Sequence, residues 1–453
     1  MSYERLSSIL PVGATASADG HLIVGGCDVV DLAERFGTPL MLMDRTTIES
    51  NAASIISEVG DPQRVFYAGK SFLCVAMCQL IDSLHMGLDV CTGGELATAQ
   101  AAGFPAERIV FHGNNKSLFE LASARDAGVG RIVVDSVEEI ARIAELGLRT
   151  KLLVRVTPGV EAQTHQYVQT GQQDSKFGFT LRGRVALDAV RRTLAIPGCE
   201  FAGLHAHIGS QIFDLAGFEL AIKRISDFAA QVTDELEVEI NELNMGGGFG
   251  IQYVEWEDPL EPGQVARGIV KDLKGAFAKR DLPAPEVFVE PGRSIAGPAG
   301  LTVYTVGTVK RIPEGRTYAS VDGGMSDNVR PALYGSSHEA LLANRVAAPD
   351  DGVITIAGKH CESGDVVVRD AKLPDDVTTG DLMCVTATGA YNYSMASNYN
   401  RMPRPPVVLV ADGRATEIIR RETFEDLLGL DVPLEFEKPG PPRPTTESPP
   451  PGG

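Results

Sequence analysis

Positive charge is scarce in this chain. Against 60 aspartates and glutamates stand 41 lysines and arginines, a formal charge of -19 over 453 residues. Such a balance argues against a nucleic-acid or anionic-membrane surface, because both would repel the protein before contact. An anionic ligand would need a local basic pocket. Cysteine is also sparse: seven residues, an odd number with no C-x-x-C pair, make no disulfide framework and fit a reducing compartment. No apolar run is long enough to span a bilayer, and the start, MSYERLSSIL, lacks a basic segment followed by an apolar one. A cytoplasmic protein with neither membrane nor nucleic-acid partner is the expectation.

What the chain does have is a rhythm. From Pro39, short β-branched runs alternate with Ala-rich segments of helical period, as in βα units around a parallel sheet. The strand candidates are Arg64 to Ala68, Gly87 to Val90, Arg108 to Phe111, Arg131 to Val134, Lys151 to Val156, Phe201 to Ala206, Glu242 to Met245 and Glu286 to Val289. Eight strands make a closed (β/α)₈ barrel over 39–298 more economical than a doubly wound sheet. After Gly297 come seven strand-like runs without long helices, Leu301 to Val309 first and Ala415 to Ile419 last, which read as an all-β domain over 299–430. Residues 1–38, with a strand at His21 to Val24 and a helix at Val29 to Phe36, are expected to complete that domain. Between the fifth and sixth barrel strands Glu161 to Phe179 is a long polar connection, carrying Gln163, His165, Gln169, Gln172, Gln173 and Lys176. The Pro-rich end, 431–453, has the composition of a disordered tail.

A barrel places chemistry at the C-terminal ends of its strands. Here those ends carry Lys70 after the first run, Asp89 on the second, and His112, Asn114 and Asn115 after the third. The sixth ends at His207 and Ser210, the seventh at Gly246, Gly247 and Gly248, and the eighth at Glu290 and Arg293. An amine delivered by the strand FYAGK loses hydration, so its pKa is expected to fall toward a value suited to a Schiff base. Three successive glycines let amide groups approach a phosphate, commonly held after strands seven and eight, with Arg293 as a neighbouring charge. Glu290 at the same mouth suits a ring nitrogen. Lysine, phosphate site and carboxylate together describe pyridoxal 5'-phosphate. The competing chemistry is a metal held by His205 and His207 as an H-x-H pair, but no further histidine follows strand seven or eight, so no metal is expected.

These residues sit in recognisable motifs. FYAGK, LDVCTGGEL from Leu88, FHGNNK from Phe111, HAHIGSQIF from His205, NMGGGFG from Asn244, EPGR from Glu290, CESGD from Cys361 and GAYNYSMAS from Gly389 appear in this order. The set resembles the fold-type III pyridoxal-phosphate decarboxylases, and within them the members acting on diaminopimelate. The resemblance implies an α/β barrel with a second, all-β domain, as in alanine racemase and ornithine decarboxylase. It implies that Lys70 holds the cofactor covalently, that His207 stacks on its ring and that Glu290 meets the pyridine nitrogen. Ser210, the glycines Gly246 to Gly248 and Tyr391 match positions around the phosphate, and Asp89 a carboxylate near the lysine. It further implies a homodimer with shared sites, in which Cys361 and Glu362 come from the partner, Cys361 as proton donor and Glu362 on the distal amine.

Arg293, with Arg330 and Tyr334 of VRPALY, resembles the clamp for the distal carboxylate of the substrate. An arginine fork suits a carboxylate, whereas ornithine or lysine would leave it unpaired. The implied reaction is the decarboxylation of meso-2,6-diaminopimelate to L-lysine and CO₂, the last step of bacterial lysine synthesis. Two alternatives stand beside it: a decarboxylase of another basic amino acid or of carboxynorspermidine, and a non-catalytic regulatory relative.

Overall fold

Residues 2–160 and 175–434 of the computed structural model are described below. Eight parallel strands, Phe66–Ala68, Gly87–Val90, Ile109–Phe111, Arg131–Val134, Lys151–Thr157, Glu200–His205, Glu242–Asn244 and Glu286–Phe288, pair in chain order. The last returns to the first. Val65 bridges Val289, and the Phe66 amide donates to Val289 O at 2.9 Å, which closes the barrel. Outside it lie the helices Val75–Ser83, Gly93–Ala101, Leu118–Ala127, Val137–Glu145, Val185–Leu194, Ala216–Leu236 and Pro262–Ala278. Their starts are set by capping side chains, among them Thr92, Ser136 and the reciprocal pair Ser117 and Glu120. After the eighth strand the chain leaves for the second domain, and its helical place is taken by Arg45–Val59, which packs beside Pro262–Ala278.

The lumen is layered, because alternate residues of each strand point inward. A middle layer is apolar: Phe66, Val110, Val133, Leu153, Ala202 and Phe288 form one buried cluster. Phe66 stacks on Phe288 with ring centres 5.8 Å apart and so fills the space beside Gly87, where a Cβ would lie 2.2 Å from the Phe66 ring. Below this layer, at the N-terminal face, Glu242 receives Arg131 through Nε at 2.7 Å and Nη2 at 2.9 Å, and Lys151 Nζ at 2.8 Å. Above it lies a polar layer that belongs to the candidate site.

The second domain is a nine-stranded sheet built on the long strand Gly300–Arg311. That strand pairs with Thr317–Val321, with Leu382–Val385 and with Leu40–Asp44. Leu40–Asp44 falls within the barrel range expected from the sequence, yet it lies in this sheet, paired also with Val407–Ala411. The N-side boundary therefore moves to Asp44, which caps the helix beginning at Arg45. The reason is local: a short, wholly buried strand reads the same in either sheet, and only its partners decide. Ahead of it, strands at Thr15–Ala16, Leu22–Val24 and Cys27–Asp28 form a small sheet of their own, tied to the second domain by Leu22 N–H to Ala343 O at 2.7 Å.

Of the polar connection, 161–174 lies outside the described residues, with Gln163, His165, Gln169, Gln172 and Gln173; so does 435–453 of the Pro-rich end. Among the described residues no helix is long and apolar enough to cross a membrane.

Glu242 gives the first test. Burial alone would raise its pKa, but the bonds from Arg131 and Lys151 outweigh this and hold it below the ordinary 4.5. A lowered carboxylate contributes stability above its unfolded pKa and loses it as pH falls through the folded value. Glu242→Gln is expected to destabilise the fold by about 2 to 4 kcal/mol at neutral pH, with the gap to wild type closing as pH drops below about 4.5 in urea melts.

Candidate active site

The polar layer is organised on Glu290, at the end of the eighth strand and buried. His112 Nε2 lies 2.6 Å from Oε1, His205 Nε2 3.1 Å from Oε2, and Asn244 Nδ2 donates to Oε1 at 2.8 Å. Burial pushes Glu290 up, but the two imidazoles overcome it and hold the carboxylate well below its ordinary range. It is therefore ionised and only accepts, which makes both Nε2 atoms donors. Burial also lowers His205, to about 4. These two histidines and Glu290 are the one group of three spaced for a metal among the described residues. The third member is thus His112 and not His207, and the imidazoles already satisfy the carboxylate.

Beside this cluster stands Lys70, in a single 3₁₀ turn, Gly69–Ser71, that follows the first strand. Its side chain reaches solvent through a cavity of about 170 Å³ whose wall also includes His207, Ser210, Gly248, Glu290, Arg293, Arg330, Tyr334 and Tyr391. Burial favours the neutral amine, as expected, but the field of Asp89, Cys91, Tyr391 and Glu290 wins and raises the Lys70 pKa. The expected fall does not occur, since desolvation is only one term and the strand ends crowd acidic groups around it. Asp89 is buried below, its own pKa raised by burial despite the attraction of His112.

His207 follows the sixth strand. The Gly247 amide donates to its Nδ1 at 3.3 Å, and burial holds its pKa well below 6.5, so the ring is neutral with its proton on Nε2. Of the glycines, Gly248 lines the cavity, while the Gly246 amide donates to Asn244 Oδ1 at 2.9 Å. Gly246 and Gly247 therefore brace Asn244 and His207 instead of aiming their amides at the cavity. A Cβ at Gly247 would lie 2.1 Å from Glu290 O, so close approach of two strand ends requires glycine there.

The opposite wall is cationic. Arg293 donates through Nη2 to Ser210 Oγ at 2.8 Å and through Nη1 to Tyr253 OH at 2.5 Å, and its guanidinium carbon lies 4.7 Å from the Tyr391 ring centre. Arg330 faces Tyr334 at 5.5 Å and Tyr253 at 5.7 Å. Both guanidinium groups are buried, neither forms an ion pair with a described residue, and the Nε of each lacks a partner. Two buried cations with no counter-charge among the described residues suit anions from outside the chain. Tyr391 comes from the second domain at φ 61°, its amide bonded to Ser71 O at 2.8 Å, directly after Lys70. A tyrosine in the left-handed region is strained and marks a position constrained from both sides.

Cys361 and Glu362 are not brought to this cavity within one chain; both are exposed on the loop between Gly352–Ala357 and Val366–Leu373. Sequence reasoning also missed Tyr253, which belongs to no motif, and the bracing role of Asn244, whose signal was its place two residues before the glycines. In all, the site offers an amine, an ionised carboxylate beneath it, a flat neutral imidazole and a pair of uncompensated guanidinium groups. That donor set fits a phosphorylated pyridine aldehyde together with an acidic substrate.

Comparison with known proteins agrees. Residues 45–297 match the family described as pyridoxal-dependent decarboxylase, pyridoxal binding domain. Diaminopimelate decarboxylase of Bacillus subtilis is 48% identical over 92% of this chain and 96% of its own, and that of Mycobacterium leprae is 44% identical over 94% and 93%. The crystal structure of diaminopimelate decarboxylase from M. jannaschii in co-complex with L-lysine superposes with a TM-score of 0.86 at 32% identity, covering 93% of this chain and 98% of that one. With the motifs, the fold and the donor set in agreement, this chain belongs to the diaminopimelate decarboxylases, a family of pyridoxal-dependent decarboxylases.

Proposed function

We propose that this protein decarboxylates meso-2,6-diaminopimelate to L-lysine and CO₂ in the cytoplasm, as a homodimer that uses pyridoxal 5'-phosphate. The observation that carries the substrate is the pair of buried guanidinium groups across the cavity from Lys70, Arg293 and Arg330, which have no carboxylate partner among the described residues. A substrate with a distal carboxylate supplies the missing charge; ornithine and lysine do not. All seven cysteines are free, in keeping with a reducing compartment.

When bound, the cofactor supplies an electron sink for cleavage of the carbon–carboxylate bond. Lys70 would hold it covalently and Glu290, kept ionised by His112 and His205, would hold a proton on the pyridine nitrogen. His207 offers a flat neutral face for the ring, fixed by Gly247. Ser210, Gly248 and Tyr391, which line the cavity, would hold the cofactor's phosphate, and Asp89 keeps Lys70 charged whenever its amine is free. Arg293, Arg330 and Tyr334 orient the distal carboxylate, so that the carboxylate at the D-configured carbon is the one lost. Exposed Cys361 and Glu362 would complete the cavity of a second copy, Cys361 giving a proton to the carbon that has lost CO₂ and Glu362 binding the distal amine.

Lys70→Ala is expected to purify without the visible absorbance of bound cofactor and to lose turnover. In CO₂-release assays wild type should prefer diaminopimelate to ornithine, lysine and carboxynorspermidine; preference for any of these would defeat the assignment. Arg330→Met should lower kcat/KM for diaminopimelate by about 100-fold or more, in line with the roughly 2 to 5 kcal/mol of a lost buried charge pair, while leaving cofactor binding intact.

A further inference from the structure

The loop bearing Cys361 shows that residue to solvent, yet its root is tightly held. Buried Asp365 accepts from the Met325 amide at 2.7 Å and the His360 amide at 2.9 Å. The His360 ring is buried against Ser326, whose amide lies 3.3 Å and whose Oγ lies 2.9 Å from Nε2. A backbone amide can only donate, so Nε2 is the acceptor and the ring proton sits on Nδ1. Nδ1 then donates to Asn400 Oδ1 at 3.1 Å, and the same oxygen receives the Cys361 amide at 3.3 Å. One side-chain oxygen thus ties the ring and the cysteine backbone together. Asn400 is held at φ 50°, where asparagine is tolerated and bulky residues are not. Behind the ring, Ser326 bonds Asp327 at 3.3 Å, and Asp327 accepts from buried Tyr304 OH. Ser326 O also receives the Ser397 amide at 2.8 Å, from the segment that places Tyr391 and Met395 in the cavity wall.

We propose that His360 and Asn400 are positioning residues for Cys361: they clamp its backbone to the scaffold that carries Tyr391, so the thiol is presented in a fixed direction. The proposal rests on the reading of Cys361 as proton donor. Neither residue lines the Lys70 cavity of its own chain. Their effect is to spare the thiol a search over loop conformations when it must meet one carbon atom.

The test uses the full chain loaded with cofactor. Asn400→Gly removes the shared oxygen while suiting the left-handed backbone, and Asn400→Asp keeps an oxygen in place. Asn400→Gly should lower kcat by roughly 10-fold or more with KM within about twofold, and raise the solvent deuterium isotope effect on kcat, because proton delivery becomes limiting. Amide hydrogen exchange over 358–365 should quicken in the same variant, and His360→Ala should behave alike. Asn400→Asp should stay within about threefold of wild type in kcat. Wild-type exchange and kcat in Asn400→Gly would overturn the clamp, as would equal losses in Asn400→Gly and Asn400→Asp. Cys361→Ser separates the two readings: wild-type turnover there overturns the proton-donor role itself, whereas the exchange data decide the clamp independently.

Discussion

A carboxylate deep inside a protein is stable as an ion only if its oxygens are met by donors, and Glu290 is met from three other strands of the barrel. His112 follows the third strand, His205 ends the sixth, Asn244 ends the seventh and Glu290 itself follows the eighth. No two of the three donors share a strand. The ionised state of Glu290 is therefore a property of the closed barrel, and the closure in turn is packed by the apolar layer of Phe66, Phe288 and their neighbours beneath. If that layer shifted, the donors would part and a buried charge would be stranded.

From this centre the cavity divides into an acidic floor and a basic wall. Asp89 and Glu290 crowd Lys70 and keep a free amine protonated, while Arg293 and Arg330 face them with no counter-charge of their own among the described residues. A chain with a formal charge of -19 thus concentrates unpaired positive charge at one small place. Such a pocket attracts anions against the field of the whole protein, since buried guanidinium groups act through a poorly screened interior while the surface acids act through water. The second domain contributes to both parts. It brings Tyr391 over Arg293 and, through Gly300–Arg311 and Leu40–Asp44, holds the start and the end of the barrel segment in one sheet.

Much of this was legible beforehand. Gly87 to Val90, Arg131 to Val134 and the helix Leu118 to Ala127 lie where apolar periodicity put them, because each has a strong local pattern and a cap or break at its ends. Lys70, His207, Ser210, Glu290 and Arg293 could be singled out because they follow strands, and in a barrel that is one rim. The direction of the Lys70 pKa could not be read, since it depends on how many carboxylates converge from other strands. Nor could the employment of the glycine amides, two of which turn toward Asn244 and His207. Tyr253 carried no signal at all; its hydroxyl matters only because folding sets it against Arg293.

By itself the sequence determined the alternation of strands and helices, the residue types at the strand ends and the caps that start the helices, for these are effects of neighbours within a few positions. Tertiary structure decided which sheet owns Leu40–Asp44, which protonation states Lys70, His205 and Glu290 take, and which donors a buried atom finds. Those depend on groups far apart in the chain, and charge and desolvation act through space without regard to sequence separation.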